Sequence, residues 1–420
     1  MNAIEVSKEM LRFIDESPTA FHAVANAEAM LKEAGFELLV DQQIVHGGKY
    51  YEKRNNSSII AFEIPEGEFE GFRVVSSHSD SPCFKIKENP EMKVNGQYVK
   101  LNTERYGGIV MFPWLDRPLS AAGRVIVKEN GKLVEKLVNF KKDLLIIPNL
   151  PIHYSRDLNE GFKPNAQVDM LPLMAMDQDC TLKKLCAQQL GVAEEDILDF
   201  ELYVYCLEEP TYIGINNTLI SSPRLDNQTS ISALVSALID GEREHGINLI
   251  ALFDHEEIGS RTKQGGGSIL FHDMIVRILR NLGADDGEID RCIYKSMMLS
   301  VDVAHGMHPN KAGKMDITNK PVLGKGFCIK QACSQSYATD AEAIAIVCQI
   351  CDKEHIPYQR FVNRSDVRGG STLGSIASAM LPVKTADIGI PLLAMHSSRE
   401  LMGAADMEAL KDLVTAFFAM

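Results

Sequence analysis

Apolar and polar positions along the chain fall into three regimes. After Ser17-Pro18, apolar residues recur at helical spacing (Ala23, Val24, Ala27, Met30, Leu31) and stop at Gly35. Ser17 suits a cap and Pro18 the first helical position, so a helix is predicted there. From about Cys83 to Asn216 the pattern is that of strands and tight turns. Arg124–Lys128 and Lys132–Lys136 flank Glu129-Asn130-Gly131, and a second Asn-Gly stands at Asn95-Gly96. Asn-Gly between strand-like runs is a strong hairpin signal. The second half alternates, with helices predicted at Ile231–Ile239, Thr339–Cys351 and Ser371–Met380. Strands are predicted at Ile247–Phe253, Met297–Val301, Tyr358–Val362 and Ile388–Ala394, and one more upstream at Arg73–Ser77. Such alternation predicts an α/β fold, a sheet with helices on both faces. No internal repeat or low-complexity linker interrupts it, and Gly265–Gly267 reads as a short loop.

Composition narrows the classes. The chain has 420 residues, too many for one small core, which leaves one large domain or two. Its formal net charge of −14 disfavours nucleic acid as a general partner. No apolar run is long enough to span a bilayer, and Glu5, Lys8, Glu9 and Asp15 stand where a secretory segment would be apolar. The cysteines number nine and are scattered. Cys348 and Cys351 form a C-x-x-C, but on a predicted helix, where they read as packed thiols. A reducing, cytoplasmic setting is expected.

The predicted strands end in metal-ligand residue types. Arg73–Ser77 runs into His78-Ser-Asp80, Ile247–Phe253 into Asp254-His-Glu256-Glu257, Met297–Val301 into Asp302, and Ile388–Ala394, after Met395, into His396. Open α/β sheets bind ligands beyond the carboxyl ends of their strands. Asp226, at the start of a helix, adds a fifth carrier. Two imidazoles and three carboxylates suit a pair of divalent ions sharing one carboxylate; zinc is favoured, and cobalt or manganese also fits. Two ions about 3.5–4 Å apart activate a water between them. One Glu of the 256–257 pair can then serve as ligand and the other as base. Because adjacent strand residues point in opposite directions, that division requires irregular backbone. Asp80 can sit behind His78 and fix its tautomer. Singly, each residue has a plainer reading: a surface histidine for His78, a solvated pair for Glu256-Glu257, a helix cap for Asp226, a core histidine for His396. Their joint placement at strand ends is the signal.

At these residues the sequence resembles the aspartyl aminopeptidase family of zinc metallopeptidases. Six ordered motifs carry the resemblance over nearly the whole chain. They are Ser77–Pro82, Trp114–Arg124, Arg224–Asn227, Asp254–Ser260, Asp302–Asn310 and Met395–Glu400. The resemblance implies one ion on His78, Asp226 and Asp302, and a second on Asp226, Glu257 and His396, with Glu256 as general base and Asp80 behind His78. It implies a mixed-sheet α/β/α catalytic domain split between residues 1–82 and 217–420. A β-rich dimerisation and lid domain, residues 83–216, would be inserted in it. It further implies peptide substrates with a free N-terminus and a homo-oligomer in which dimers build a tetrahedral dodecamer. His153 would reach a neighbouring subunit's site and stabilise the oxyanion, and His305, Lys330, Tyr337 and Met395 would line the substrate pocket. Lys330 would attract an acidic N-terminal side chain, whereas Arg368, within Ser365–Gly374, resembles a bacterial branch of the family, so acidic and neutral preferences both stay open. Three other functions would make different demands on these residues. A deacylase or carboxypeptidase needs a receptor for a substrate carboxylate, a non-catalytic assembly protein needs no base, and a glycosidase needs neither histidine.

Overall fold

The computed structural model of the protein describes residues 3–40, 42–176, 179–241 and 246–420. They form two compact units. One comprises the chain up to Asp80, Pro210–Met395 and Glu400–Met420; the other comprises Ser81–Glu209 and the short segment His396–Arg399.

The first unit is built on a nine-stranded mixed sheet. Its four central strands, in spatial order Ile247–Phe253, Phe72–His78, Met297–Val301 and Lys384–Gly389, all run parallel. Antiparallel neighbours flank them, Ser58–Glu63 on one side and Phe327–Gln331 on the other. The central strands are dominated by apolar and small residues because both faces are covered. Val75, Ile250, Leu252 and Leu299 pack into a core with the helices Ala3–Glu16, Ala20–Glu33, Leu225–Asp240, Ala341–Glu354 and Asp406–Phe418. Their alternates Val74, Leu249, Ala251 and Met298 pack on the other face with Leu270–Asn281, Asp286–Lys295 and Leu373–Met380. Helices on both faces are what the alternation predicts, and the mixed-sheet α/β/α architecture is the one the resemblance implies. A smaller five-stranded sheet in the same unit includes Ala304–His305, Pro391–Leu393 and Glu400–Gly403.

Two predicted elements need correction. The helix after Pro18 begins at Ala20, with Thr19 at the cap position, and a helix the pattern did not reveal, Ala3–Glu16, precedes it. Ser17 closes that earlier helix, its N–H donating to the Ile14 carbonyl at 3.1 Å. The strand expected at Ile388–Ala394 is two strands in two sheets, Lys384–Gly389 and Pro391–Leu393. The chain can leave the large sheet there because Gly389 has no Cβ: one placed on it would lie 1.3 Å from the Asp302 carbonyl oxygen.

The second unit carries a six-stranded antiparallel sheet with its own core, including Phe84, Trp114, Val125, Leu202 and Val204. Its Leu119–Glu129 and Lys132–Asn139 strands form the expected hairpin around Asn130 and Gly131, both at positive φ as the twist of a tight hairpin demands. All nine cysteines are free; Cys351 packs in the first unit's core and Cys348 lies against it. Among the described residues no helix is long and apolar enough to cross a membrane.

Candidate metal centre

Three of the central strands deliver their carboxyl-terminal residues to one place. His78 closes its strand and is 1 % exposed. Its Nδ1 lies 3.1 Å from the Asp80 carbonyl oxygen. A carbonyl can only accept, so Nδ1 carries the proton and Nε2 the lone pair. Nε2 faces Asp226 Oδ1 at 3.3 Å and Asp302 Oδ1 at 3.5 Å. Ligand atoms of His78, Asp226 and Glu257 lie within 4.8 Å of one another.

Nitrogen and carboxylate oxygens gathered this closely around a lone pair demand a cation between them. A proton or a metal ion can take that place. Burial alone would drive the imidazole towards neutrality, yet Asp226, Asp302 and Asp80 outweigh it and hold its pKa well above the ordinary value. The donor set fits zinc, which takes imidazole nitrogen and carboxylate oxygen and displaces that proton on binding.

The remaining ligand carriers reach the cluster through irregular backbone. Asp226 and Asn227 depart from helical geometry inside Leu225–Asp240, after Arg224 in the left-handed region at φ 57°. The Asp226 N–H donates to Glu400 Oε2 at 2.9 Å. After Phe253 the chain turns through His255 at φ 62° into a short 3-10 turn, Glu256–Ile258. This supplies the irregularity that dividing the two glutamates requires. Asp80 braces the turn: Oδ1 accepts from the Glu256 N–H and Oδ2 from the Glu257 N–H, each at 3.1 Å. Its carboxylate is thus shared between His78, 3.4 Å from Nδ1, and the backbone of both glutamates. Burial pushes the Glu256 carboxyl up to about 8; His78 draws it down, while Asp302, Asp80 and Asp226 raise it further. Asp254 turns away from the cluster, accepting from the His255 N–H at 2.8 Å.

Lys330 lies on the strand Phe327–Gln331, with its side chain turned into the interior. It is 1 % exposed. Its Nζ donates to the Val303 carbonyl at 3.1 Å and the Asp302 carbonyl at 3.4 Å, with Asp302 Oδ2 3.8 Å away. Burial works against its charge, but Asp302, Tyr337, Asp387 and Asp226 raise its pKa nonetheless. The Tyr337 ring lies under Nζ, 5.1 Å from the centroid. Phe361 joins Tyr337 to His305, with ring centroids 6.2 and 5.8 Å away. Met395 packs against the first unit's core.

Two expected site residues belong to the second compact unit. His153 is exposed. His396, at φ 66°, has Nδ1 3.0 Å from the Gly108 carbonyl, which fixes the tautomer with its lone pair on Nε2. Sequence reasoning missed Asn227, Asp387 and Glu400. Asn227 stood in a quoted motif, but as a neighbour of Asp226, and no periodicity marks a side chain that reaches across to two strands.

Comparison with known proteins identifies the family and the fold. The sequence model of the M18 family, aminopeptidase I zinc metalloprotease, matches residues 13–418. A probable M18 family aminopeptidase 2 from Clostridium acetobutylicum is 43% identical over 417 residues, 96% of each chain. Among solved structures, the Ape4 chain of an Ape4–Nbr1 complex superposes with a TM-score of 0.94 at 33% identity, covering 99% of this chain and 86% of that one. The S. cerevisiae mApe1 dodecamer superposes with a TM-score of 0.86 at 24% identity, covering 99% and 96%, and shares the fold.

Proposed function

The chain belongs to the M18 family of zinc metalloprotease aminopeptidases, and from that premise we propose that it removes single N-terminal residues from peptides by a two-metal mechanism with Glu256 as general base. The observation that carries this reading is the His78–Asp226–Glu257 donor set, with Glu256 on the same braced turn but outside it. One ion would be held by His78, Asp226 and Asp302, and the other by Asp226, Glu257 and His396; zinc is the ion of choice, with cobalt or manganese as substitutes. When bound, the ions polarise the scissile carbonyl and lower the pKa of the attacking water.

The chain's own groups do the rest. Glu256 takes the water's proton and passes it to the leaving amine. Burial pushes this carboxyl up to about 8, and divalent ions bound by its neighbours would favour its ionised form. Asp80 holds the backbone of the base and of its neighbouring ligand as one piece. His305, Lys330, Tyr337 and Met395 line the pocket for the N-terminal side chain. Lys330 also offsets Asp302, so a substrate carboxylate shares this cation with Asp302. His153 acts from a neighbouring subunit on the oxyanion, in a dodecamer assembled through the β-rich inserted unit, and the enzyme works in the cytoplasm.

Hydrolysis of aminoacyl chromogenic substrates tests the reading, before and after chelation and with zinc, cobalt or manganese restored. Metal-dependent release confined to free N-termini is expected, and ranks Asp and Glu against Leu and Met. Release only from blocked N-termini or C-terminal substrates would move the assignment to a deacylase or carboxypeptidase. His396→Ala should lower metal content; unchanged content removes it from the ligand set.

A further inference from the structure

We infer that Asn227 is the positioning residue that sets the spacing of His78 and Asp302 and thereby the affinity of the ion they share; this rests on the ligand assignment proposed above. The two strands bearing these residues are neighbours and run parallel. Their ladder pairs Met297 with Arg73, Met298 with Val74, Leu299 with Val75, and Ser300 with Ser76, and that is its last pair. His78 and Asp302 both lie two residues past it. On their outer sides the same strands stay paired further, Phe253 with His78 and Val301 with Ile388. The gap is therefore local to the side on which the two ligands face each other.

Asn227 fills that gap. Its Nδ2 donates to Ser77 Oγ at 3.0 Å and to the Val301 carbonyl at 3.0 Å. Ser77 immediately precedes His78, Val301 immediately precedes Asp302, and Asn227 itself immediately follows Asp226. A single amide thus touches the chain neighbour of each of two ligands and is the chain neighbour of the third. Two donors in a fixed plane stand in for a ladder bond between strands that would otherwise be free to splay. The amide cannot turn over, because the Val301 carbonyl can only accept; with Nδ2 committed there, Oδ1 accepts from the Ser230 hydroxyl one turn along the helix. It is wholly buried, so water does not compete for these bonds. The next residue extends the bracket: Gln228 Nε2 donates to the Ser79 carbonyl at 2.9 Å, on the far side of His78. A buried asparagine serving only to close its helix would spend its amide within the helix. Thr229 does this, its hydroxyl donating to the Leu225 carbonyl at 2.7 Å.

The experiment measures zinc affinity of the metal-free protein by chelator competition, the absorption spectrum of the cobalt-substituted protein, and the melting temperature of the metal-free form. The proteins are wild type, Asn227→Ala, Ser77→Ala, Thr229→Val and His78→Ala. Asn227→Ala is expected to weaken the ion at His78 and Asp302 by about 10–100-fold and to alter the cobalt spectrum, the range typical of groups that orient metal ligands. Ser77→Ala removes one of the two bonds and should give a smaller loss of the same kind; it decides the question if Asn227→Ala does not fold. Thr229→Val should cost stability without changing affinity or spectrum. Wild-type affinity and spectrum in Asn227→Ala, or in Ser77→Ala where only that variant folds, would overturn the inference. So would an equal loss in Thr229→Val, since general loosening would then explain it. If His78→Ala itself binds zinc as wild type does, the ligand assignment fails first, and the two failures are told apart.

Discussion

The residues proposed as metal ligands, with the Glu256 beside them, divide into two kinds of place. His78 and Asp302 sit at or just past the ends of regular, buried parallel strands, each held on at least one side by a ladder. Asp226, the Glu256–Glu257 pair and His396 sit where the backbone is irregular. Left-handed non-glycine residues mark each of these places: Arg224 at φ 57°, His255 at φ 62°, Ala394 at φ 56° and His396 at φ 66°. Such conformations cost on the order of 1–3 kcal/mol each and persist only where the surroundings impose them. The regular places supply fixed distance. The irregular ones supply direction, letting two adjacent side chains face one site, which a straight strand, alternating its faces, does not allow. The added cost is met by specific braces: Asp80 under the glutamates, Glu400 under Asp226, Gly108 under His396.

The sharpest test of that division is within the irregular turn itself. If His255 and the 3-10 turn serve to separate base from ligand, Glu256→Gln should keep metal content and fold while lowering kcat by about 10²–10⁴-fold, the range of general-base catalysis. Glu257→Gln should instead lower metal content. Identical metal loss in both variants, measured by elemental analysis, would mean that the turn does not divide their roles.

A steric test addresses the regular places. Gly389→Ala puts a Cβ 1.3 Å from the Asp302 carbonyl oxygen, so backbone must move. We expect destabilisation of about 3 kcal/mol or more, as overpacking against immobile backbone brings, together with loss of metal. Gly259→Ala, in the irregular turn, meets nothing within 4 Å and carries only the strain of φ 102°. It should cost about 1 kcal/mol. Equal melting temperatures for the two variants would erase the distinction between a place set by packing and a place set by local conformation.

The same division explains what could be read in the sequence. Met297–Val301 and Ile247–Phe253 were predicted residue for residue, because a short run of that length with a single polar residue in it has few other uses. Asp302 followed from the first of them, and His78 from the strand predicted at Arg73–Ser77. Asp226 and the Glu pair were found by residue type and motif, while their geometry was not, since nothing in periodicity encodes a left-handed residue at Arg224 or His255. The strand before His396 was misjudged for a related reason: Ile388–Ala394 is apolar throughout, so the change of sheet at Gly389 is invisible to hydropathy. Lys330 was placed by resemblance in a pocket, but its burial against Asp302 depends on three strands meeting.

Lys330 links the two kinds of place to the substrate. Because its Nζ donates to carbonyls on the Asp302 segment, Lys330→Ala should lower kcat/KM about tenfold or more on every substrate, through Asp302. A further loss confined to Asp and Glu substrates would add the charge-reading role. A purely selective loss would show that Asp302 does not depend on this cation.

The smallest effect at neutral pH is expected beneath the Asp226 segment. His22 accepts or donates one hydrogen bond with Thr19 Oγ1 at 2.9 Å, and burial, with the Arg224 guanidinium nearby, holds its pKa down to about 4 from 6.5. The unfolded chain therefore binds this proton at higher pH than the folded one. Stability from this residue is complete above pH 6.5 and is lost as pH falls towards 4, by up to about 3 kcal/mol. His22→Gln should cost about 1 kcal/mol or less at pH 7.5 and flatten that part of the pH dependence, measured by denaturant unfolding of the metal-free protein between pH 7.5 and 4. Since Arg224 is the left-handed residue that turns the chain into Asp226, an unchanged slope would mean that the irregular segment rests on other supports than the neutral ring below it.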